Sequence, residues 1–360
     1  MTKAAELAKM GEVLTNSQIG GRRNIVINGA MQVAQRGTSQ TGITASANEG
    51  YVTVDRFAFD GNGHNAVFTA TQSTDAPTGF SNSLKMDCTT ADTSIGADDY
   101  LMLQTRLEGF DVQQLKKGTS SAEKVTVSFY VKGNASATYM CELQDDENSR
   151  TNGQLFSVTT DWTRVVLTFD GDTTGTIPND NTIGLRLNMW FHVGSTFDGG
   201  TFTSNQWTGT ANQRVGSITS FFDSTDRTFF MTGVQMEVGS QATPFEHRSF
   251  GEELLLCQRY FYKIEGTTGF KTTFINGAID GSTAIGVQKH QVEMRAAPTF
   301  TQSGDVYVYA AGTNTTKSDL NPQMGTKMYR TLAASINATS GEAFQMDLVS
   351  GTTISLDAEL

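Results

Sequence analysis

Residues 124–133 read KVTVSFYVKG, and the run alternates with a period of two. Val125, Val127, Phe129 and Val131 fall on one side of an extended chain, and Thr126, Ser128 and Tyr130 on the other. A helix would scatter these residues around its circumference, whereas a strand separates them by face. The run therefore predicts a half-buried antiparallel strand. Similar short runs precede it, at NIVINGAMQV (24–33), YVTVDRFAF (51–59), HNAVFTATQ (64–72) and SNSLKMDCTT (81–90). Others follow, at ATYMCELQD (137–145), WTRVVLTFDGD (162–172), TIGLRLNMWFHV (182–193) and RTFFMTGVQMEV (227–238). Each is bounded by Gly, Asn, Asp or Ser, the residues that turns require. About eight or nine strands over roughly 220 residues fit a two-sheet sandwich, most simply a jelly roll.

Composition agrees. The 360 residues include 36 Gly and only 5 Pro, and 18% are charged, a profile of strands and turns rather than helices. Lys and Arg number 26 against 37 Asp and Glu, giving a net charge of −11. Such a chain repels phosphate backbones and anionic lipid, so nucleic acid is not an expected partner. No apolar run is long enough to cross a membrane as a helix, and no membrane insertion is expected. The N-terminus carries Glu6 and Glu12 and lacks the apolar core of a signal peptide. Cys88, Cys141 and Cys257 are too few and too scattered for a disulfide framework or a zinc motif, and read as buried thiols from a reducing compartment.

Two stretches depart from the strand pattern. In residues 2–14, Thr2 can cap a helix on which Lys3, Leu7, Met10 and Leu14 fall at 4-3-4 spacing. A helix this short is marginal alone and needs a partner. In GVQMEVGSQATPFEHRSFGEELLLCQRYF (233–261), a strand ends, Pro244 stops pairing, and Ser249 with Glu252 forms a capping-box pattern. Phe250, Leu254, Cys257 and Phe261 then repeat at 4-3-4, with Leu255, Leu256 and Tyr260 widening the apolar side. Both helices are candidate oligomerisation sites. After Gly266, runs such as KTTFINGAID, DVYVYA, EAFQMDLV and TISLDAEL predict a smaller β-domain whose last strand ties down the C-terminus. The expected organisation is an anchor segment over 1–22, a β-sandwich over 23–248, a connecting helix over 249–264 and a β-domain over 265–360.

Catalytic signals are weak. His64, His192, His247 and His290 show no metal-ligand spacing, and no nucleophile elbow, phosphate loop or C-x-x-C motif occurs. Glu246 and His247 are adjacent in sequence, which does not make their side chains converge. The Asp-rich stretches QDDEN (144–148), FDGD (169–172) and PNDN (178–181) have an ordinary role as turn formers. They offer oxygens that calcium could use, but without EF-hand spacing, so no cofactor is expected. A pair of carboxylates for glycoside hydrolysis is not excluded by such a composition. Trp207, in the polar loop SNQWTGTANQ, is the candidate for contact with a glycan or partner; Trp162, Trp190 and Phe191 read as packing residues.

The pairing of NIVINGAMQVAQRG (24–37) with VQMEVGSQATPFE (234–246) resembles structural proteins of tailed bacteriophages, notably marine ones, of the tail-fibre or virion-appendage type. TKAAELAKMGEVLTN resembles their leaders, and the segment from HQVEMRAAPTF to ISLDAEL their C-terminal portions. SNSLKMDCTT, VTVSFYVKG and TTDWTRVVLTFDGD resemble the jelly roll of carbohydrate-binding modules. The resemblance implies a non-enzymatic homotrimer in the virion, assembled in the bacterial cytoplasm and docked on other virion proteins through its N-terminal segment. It also implies that host-surface polysaccharide is a candidate ligand. The alternatives are a capsid-attached head fibre or decoration protein, a free lectin-like module, and a polysaccharide depolymerase.

Overall fold

The computed structural model describes Lys3, Ala4 and residues 23–267 and 272–360. Leu7, Met10 and Leu14, the apolar positions of the expected N-terminal helix, lie outside the described residues. The chain divides into two compact units between Ser249 and Phe250.

The first unit contains β1 (Ser39–Ile43), β2 (Ala58–Asn62), β3 (Val67–Ser73), β4 (Ser83–Thr90), β5 (Tyr100–Glu108) and β6 (Val125–Gly133). It continues with β7 (Ala137–Asp145), β8 (Arg150–Val158), β9 (Thr163–Phe169), β10 (Ile183–Val193) and β11 (Thr228–Val238). A six-stranded sheet runs β1-β3-β4-β11-β6-β9 and a five-stranded sheet runs β2-β5-β10-β7-β8. Every pairing in them is antiparallel. Val125, Val127, Phe129 and Val131 all enter one core shared with Leu101, Leu103, Leu187, Met189 and Phe191 of the other sheet. Aromatic contacts reinforce that core, with Phe191 and Phe229 4.7 Å apart and Phe129 and Phe156 5.0 Å apart between centroids. The fold is thus the expected mainly β, jelly-roll-like sandwich.

Thr126 and Ser128, expected to face solvent, are buried as well. The reason lies in residues 239–248, which fold back as a strap over the outward side of β6 and β11. Thr126 donates to the Gly239 carbonyl at 2.8 Å. Gln235 donates to Thr243 Oγ1 at 3.0 Å and accepts from the Glu246 amide at 2.8 Å. Glu237 holds both the amide and the hydroxyl of Thr243, each at 2.8 Å.

The segment NIVINGAMQV, expected as a strand, is irregular. Asn28 and Met31 take positive φ values of 59° and 57°, and Arg56 in YVTVDRF takes 71°. The amide side chains replace a ladder here. Asn24 accepts from the amides of Val26 and Met236 and donates to the Val234 carbonyl, each at 3.0 Å. Asn28 donates to the carbonyls of Val33 and Asp55 at 2.9 Å. Glu246 accepts from the amides of Arg23 and Asn24 at 3.2 and 2.9 Å, and Arg248 reaches the Asn24 and Val26 carbonyls. A Cβ on Gly29 would sit 2.0 Å from the Val234 oxygen, so only glycine permits this approach. The two halves of the sequence signature are therefore one hydrogen-bonded joint.

The second unit opens with a helix, Phe250–Gln258, and continues through β12 (Phe261–Glu265), β13 (Thr272–Asp280), β14 (Thr283–Lys289), β15 (Thr299–Ser303) and β16 (Val306–Ala310). It ends with β17 (Thr313–Lys317), β18 (Asn321–Met324), β19 (Met328–Ala333), β20 (Ala343–Leu348) and β21 (Thr353–Asp357). These build a seven-stranded sheet, β17-β16-β20-β13-β14-β19-β18, and a three-stranded sheet, β12-β21-β15. Val308, Met346, Ile354 and Leu356 are among its core residues.

The helix expected over 249–264 is shorter than its apolar spacing implied. Phe261 belongs to β12 and pairs with Asp357, because the run FYKIE satisfies its backbone groups against the C-terminal strand. Cys257 and Phe261 are buried, Leu254 is half-buried, and Phe250 and Leu255 are exposed at 57% and 48%. Phe250, Leu254, Cys257 and Phe261 thus do not form one helical seam.

Candidate functional site

The outward face of the five-stranded sheet is built in rows set by register. Arg106, Arg186 and Gln144 form one row, Gln104, Asn188 and Glu142 the next, and Met102, Trp190 and Met140 the third. The apolar row is roofed by the long β10–β11 connection, whose Phe197, Phe202, Val215 and Ile218 pack on Met102, Met140 and Trp190. The polar rows lie beside that roof.

Glu142, fully buried, organises them. Its Oε2 accepts from Asn188 Nδ2 at 2.9 Å and from the Trp190 indole at 3.0 Å. Arg214, from the roof, grips both carboxylate oxygens at 2.6 and 2.7 Å and lies 4.8 Å from the Trp190 ring centroid. Burial alone would depress the Arg214 pKa, but the adjacent Glu142 charge holds it above its ordinary value. Gln144 accepts from Asn188 at 2.8 Å and donates to Asp146 at 2.6 Å, while Arg186 bonds both Asp146 and Gln104. Gln104 continues to Asp60 at 2.6 Å, which also accepts from Tyr100 at 3.1 Å.

A cleft of about 230 Å³ opens where the β7–β8 hairpin meets the roof. Its walls include Gln144, Asp146, Ser149, Arg150, Thr151, Phe197, Thr208, Thr210 and Arg214. The roof is stitched to the hairpin by reciprocal bonds between Thr151 and Thr208, both 2.8 Å, so the walls are pre-formed.

Beneath the hairpin lies a buried ionic cluster. The Lys117 ammonium contacts Asp145 and, at 3.1 Å, Asp172, and donates to the carbonyls of Thr174 and Gly175 at 2.8 and 3.0 Å. Arg150 binds Asp172 through two bonds of 2.7 and 3.0 Å. Burial alone would raise the Asp172 pKa, but Arg150, the Thr174 amide and Lys117 together pull it below the usual carboxylate range. Asp145 and Asp172 stand in the stretches read as turn formers, and the turn role holds: Asp145 accepts from the Asn148 amide at 3.1 Å and Asp172 from the Thr174 amide at 3.0 Å. Among the described residues, no group of three or more His, Cys, Asp or Glu is arranged to hold a metal ion.

Trp207 lies outside the cleft wall. Its indole is half-buried against the sandwich core, donates to the Asp170 carbonyl at 2.7 Å, and has the Lys117 ammonium 5.6 Å from its ring centroid. Trp190 and Phe191 are fully buried. His64 and His192 meet at 6.2 Å between centroids, with Ser220 Oγ 2.7 Å from His192 Nδ1. Burial, with the neighbouring His192, lowers the His64 pKa to about 4, and burial lowers that of His192 too. All three cysteines are buried, and burial raises the Cys88 thiol to about 11, which leaves it inert.

Glu142 and Arg214 were invisible as a pair in the sequence. The one signal was a carboxylate embedded in the apolar run TYMCEL, since a buried charge demands a partner.

No protein-family model matches the chain, and no curated protein matches it. Among solved structures it is similar to a family 11 carbohydrate-binding module from Clostridium thermocellum in complex with a β-1,3-1,4-mixed-linked tetrasaccharide, at 11% identity and a TM-score of 0.28, covering 57% of this chain and 98% of that one. It is similar to TmCBM61 in complex with β-1,4-galactotriose, at 8% identity and a TM-score of 0.31, covering 60% and 99%. It also aligns with the enzymatically active domain of tailspike protein 4 of Bacteriophage CBA120, at 10% identity and a TM-score of 0.29, covering 60% of this chain but 21% of that one.

Proposed function

We propose that the chain is a structural component of a bacteriophage tail fibre or related virion appendage, and that its sandwich binds host-surface glycan in the cleft between the β7–β8 hairpin and the roof. The observation that carries the binding role is the cleft itself: a pre-formed space of about 230 Å³ edged by hydroxyls, amides and paired charges, with the Phe197 ring in its wall. Hydroxyl-rich ligands need convergent donors and acceptors beside an apolar surface, and this wall supplies both. The appendage role is supported by the resemblance of residues 24–37 and 234–246 to virion proteins.

Binding without turnover is the better reading of the carboxylates. General acid catalysis needs a carboxyl kept protonated near neutral pH. Here Asp146 is ion-paired with Arg186, Asp145 with Lys117 and Glu142 with Arg214, so each carboxylate is engaged by a cation of the fold.

A screen of the intact chain against immobilised bacterial polysaccharides tests the binding role, with Thr210→Trp as the blocking variant. Thr210 is exposed on the cleft rim, so an indole there fills the space without disturbing the core. Retention of the parent chain and loss in the variant is the expected result; equal retention of both would move the site elsewhere. Light scattering tests the trimer, which requires three times the 38.9 kDa chain mass. A monomer at all concentrations would remove it.

A further inference from the structure

The cleft carries a property that selects its ligand. Its charged wall residues are Asp145, Asp146, Arg150 and Arg214. Each is closed by its own counter-ion: Asp145 by Lys117, Asp146 by Arg186, Arg150 by Asp172 and Arg214 by Glu142. Four cations therefore stand against four carboxylates, within a chain whose overall charge is −11. Three of these carboxylates, Asp145, Asp172 and Glu142, have side chains at most 3% exposed, so a cation drawn away to a ligand would strand a buried carboxylate.

An anionic sugar brought to this wall meets no unspent positive charge. Its carboxylate or sulfate would have to compete with Asp172 or Glu142 for a guanidinium already gripped through Nε and Nη2. A neutral sugar does not face that competition. A guanidinium has five N–H donors, so Arg150 and Arg214 keep donors for a hydroxyl while staying paired. Ser149, Thr151, Thr208 and Thr210 add groups of the uncharged kind that exchange hydrogen bonds with hydroxyls. Phe197 adds an apolar ring that a charged group would avoid.

Resting on the glycan-binding reading above, we infer that the cleft takes an uncharged, hydroxyl-rich saccharide and discriminates against uronic-acid and sulfated polymers. Binding is then insensitive to ionic strength, because no net charge is neutralised on association.

The test is affinity electrophoresis and calorimetry of the full chain with two sets of probes. The neutral set is mixed-linkage β-glucan, β-1,4-galactan, mannan and dextran; the anionic set is polygalacturonate, alginate and a sulfated galactan. Each is measured at 50 and 500 mM NaCl, beside Thr210→Trp. The expected result is retention by at least one neutral polymer, with Kd changing less than twofold between the two salts, and loss of that retention in Thr210→Trp. Retention confined to the anionic set, weakening tenfold or more at high salt, would overturn the ligand class while leaving glycan binding intact. Retention by no polymer in either set would overturn the ligand class and the glycan-binding reading together.

Discussion

On the outward face of the six-stranded sheet, Thr126, Ser128, Gln235 and Glu237 are buried; the strap 239–248 satisfies Thr126, Gln235 and Glu237 with its own backbone and Thr243, and Ser128 accepts from Arg164. On the outward face of the five-stranded sheet, the roof covers Trp190 and its apolar neighbours but stops short of the polar rows and leaves a cleft. Both faces are polar and both are covered from long connections. The difference is that the strap comes from the segment directly following β11 and stays in contact with it, whereas the roof spans from β10 to β11 and is bonded to the β7–β8 hairpin beside the polar rows. Covering a polar face completely makes a scaffold; covering it partly makes a site.

The comparison breaks most severely at Glu142. Replacing Glu142 by Ala leaves Arg214 and the Trp190 and Asn188 donors facing an empty position, and stranding a buried charge costs about 3–5 kcal/mol. Thermal unfolding should show a melting temperature lower by roughly 10 °C, taking ~2–4 °C per kcal/mol for a unit of this size. On the opposite face, Gly29→Ala drives a methyl against the Val234 carbonyl and should cost about 2–3 kcal/mol by denaturant titration, a loss in the range of backbone strain. A variant that unfolded like the parent would show that the joint yields without penalty.

Acid should separate the two faces. His64 and His192 sit beside Phe222 in the connection that continues from the roof, and the carboxylates nearest them are Asp92 and Asp99. His64 titrates at about 4 in the folded chain and near 6.5 when unfolded, so the unfolded chain takes up its proton first. Stability from this group is complete above pH 6.5 and falls as the pH drops towards 4, by about 2 kcal/mol after allowance for solvent screening. Replacing His64 by Gln should flatten that decline, measured as melting temperature against pH. The smallest effect on stability is expected for Thr210→Trp, within about 0.5 kcal/mol, as for most surface substitutions. That variant separates binding from folding.

Much of the scaffold was legible because period-two burial leaves a local trace. The inward residues of KVTVSFYV needed nothing but their own spacing. What the local pattern missed depends on partners distant in the chain. Thr126 and Ser128 look solvent-facing until residues 239–248 return to cover them. NIVINGAMQV looks like a strand until Asn24 and Asn28 are seen bonding backbone on both sides of the joint, with partners over 200 residues away for Asn24. Phe261 fits a helical repeat, yet a C-terminal strand nearly a hundred residues later claims it. The candidate cleft was hidden for the same reason. Asp145, Asp146 and Arg150 have sufficient local reason to sit in a turn, and only the arrival of Arg214 from the roof gives that turn a wall.

The cage around Lys117 has a consequence for the conditions in which the hairpin keeps its shape. Two carboxylates and two carbonyls converge on one positive charge, the kind of oxygen set that dissolved divalent ions also favour. A dissolved ion occupies such a set according to its concentration and leaves when diluted or chelated. An ammonium on its own side chain cannot be diluted or chelated away. The hairpin that frames the cleft is therefore held by an ion that is inherited with the sequence, and its geometry should be the same in calcium-poor water as in calcium-rich water.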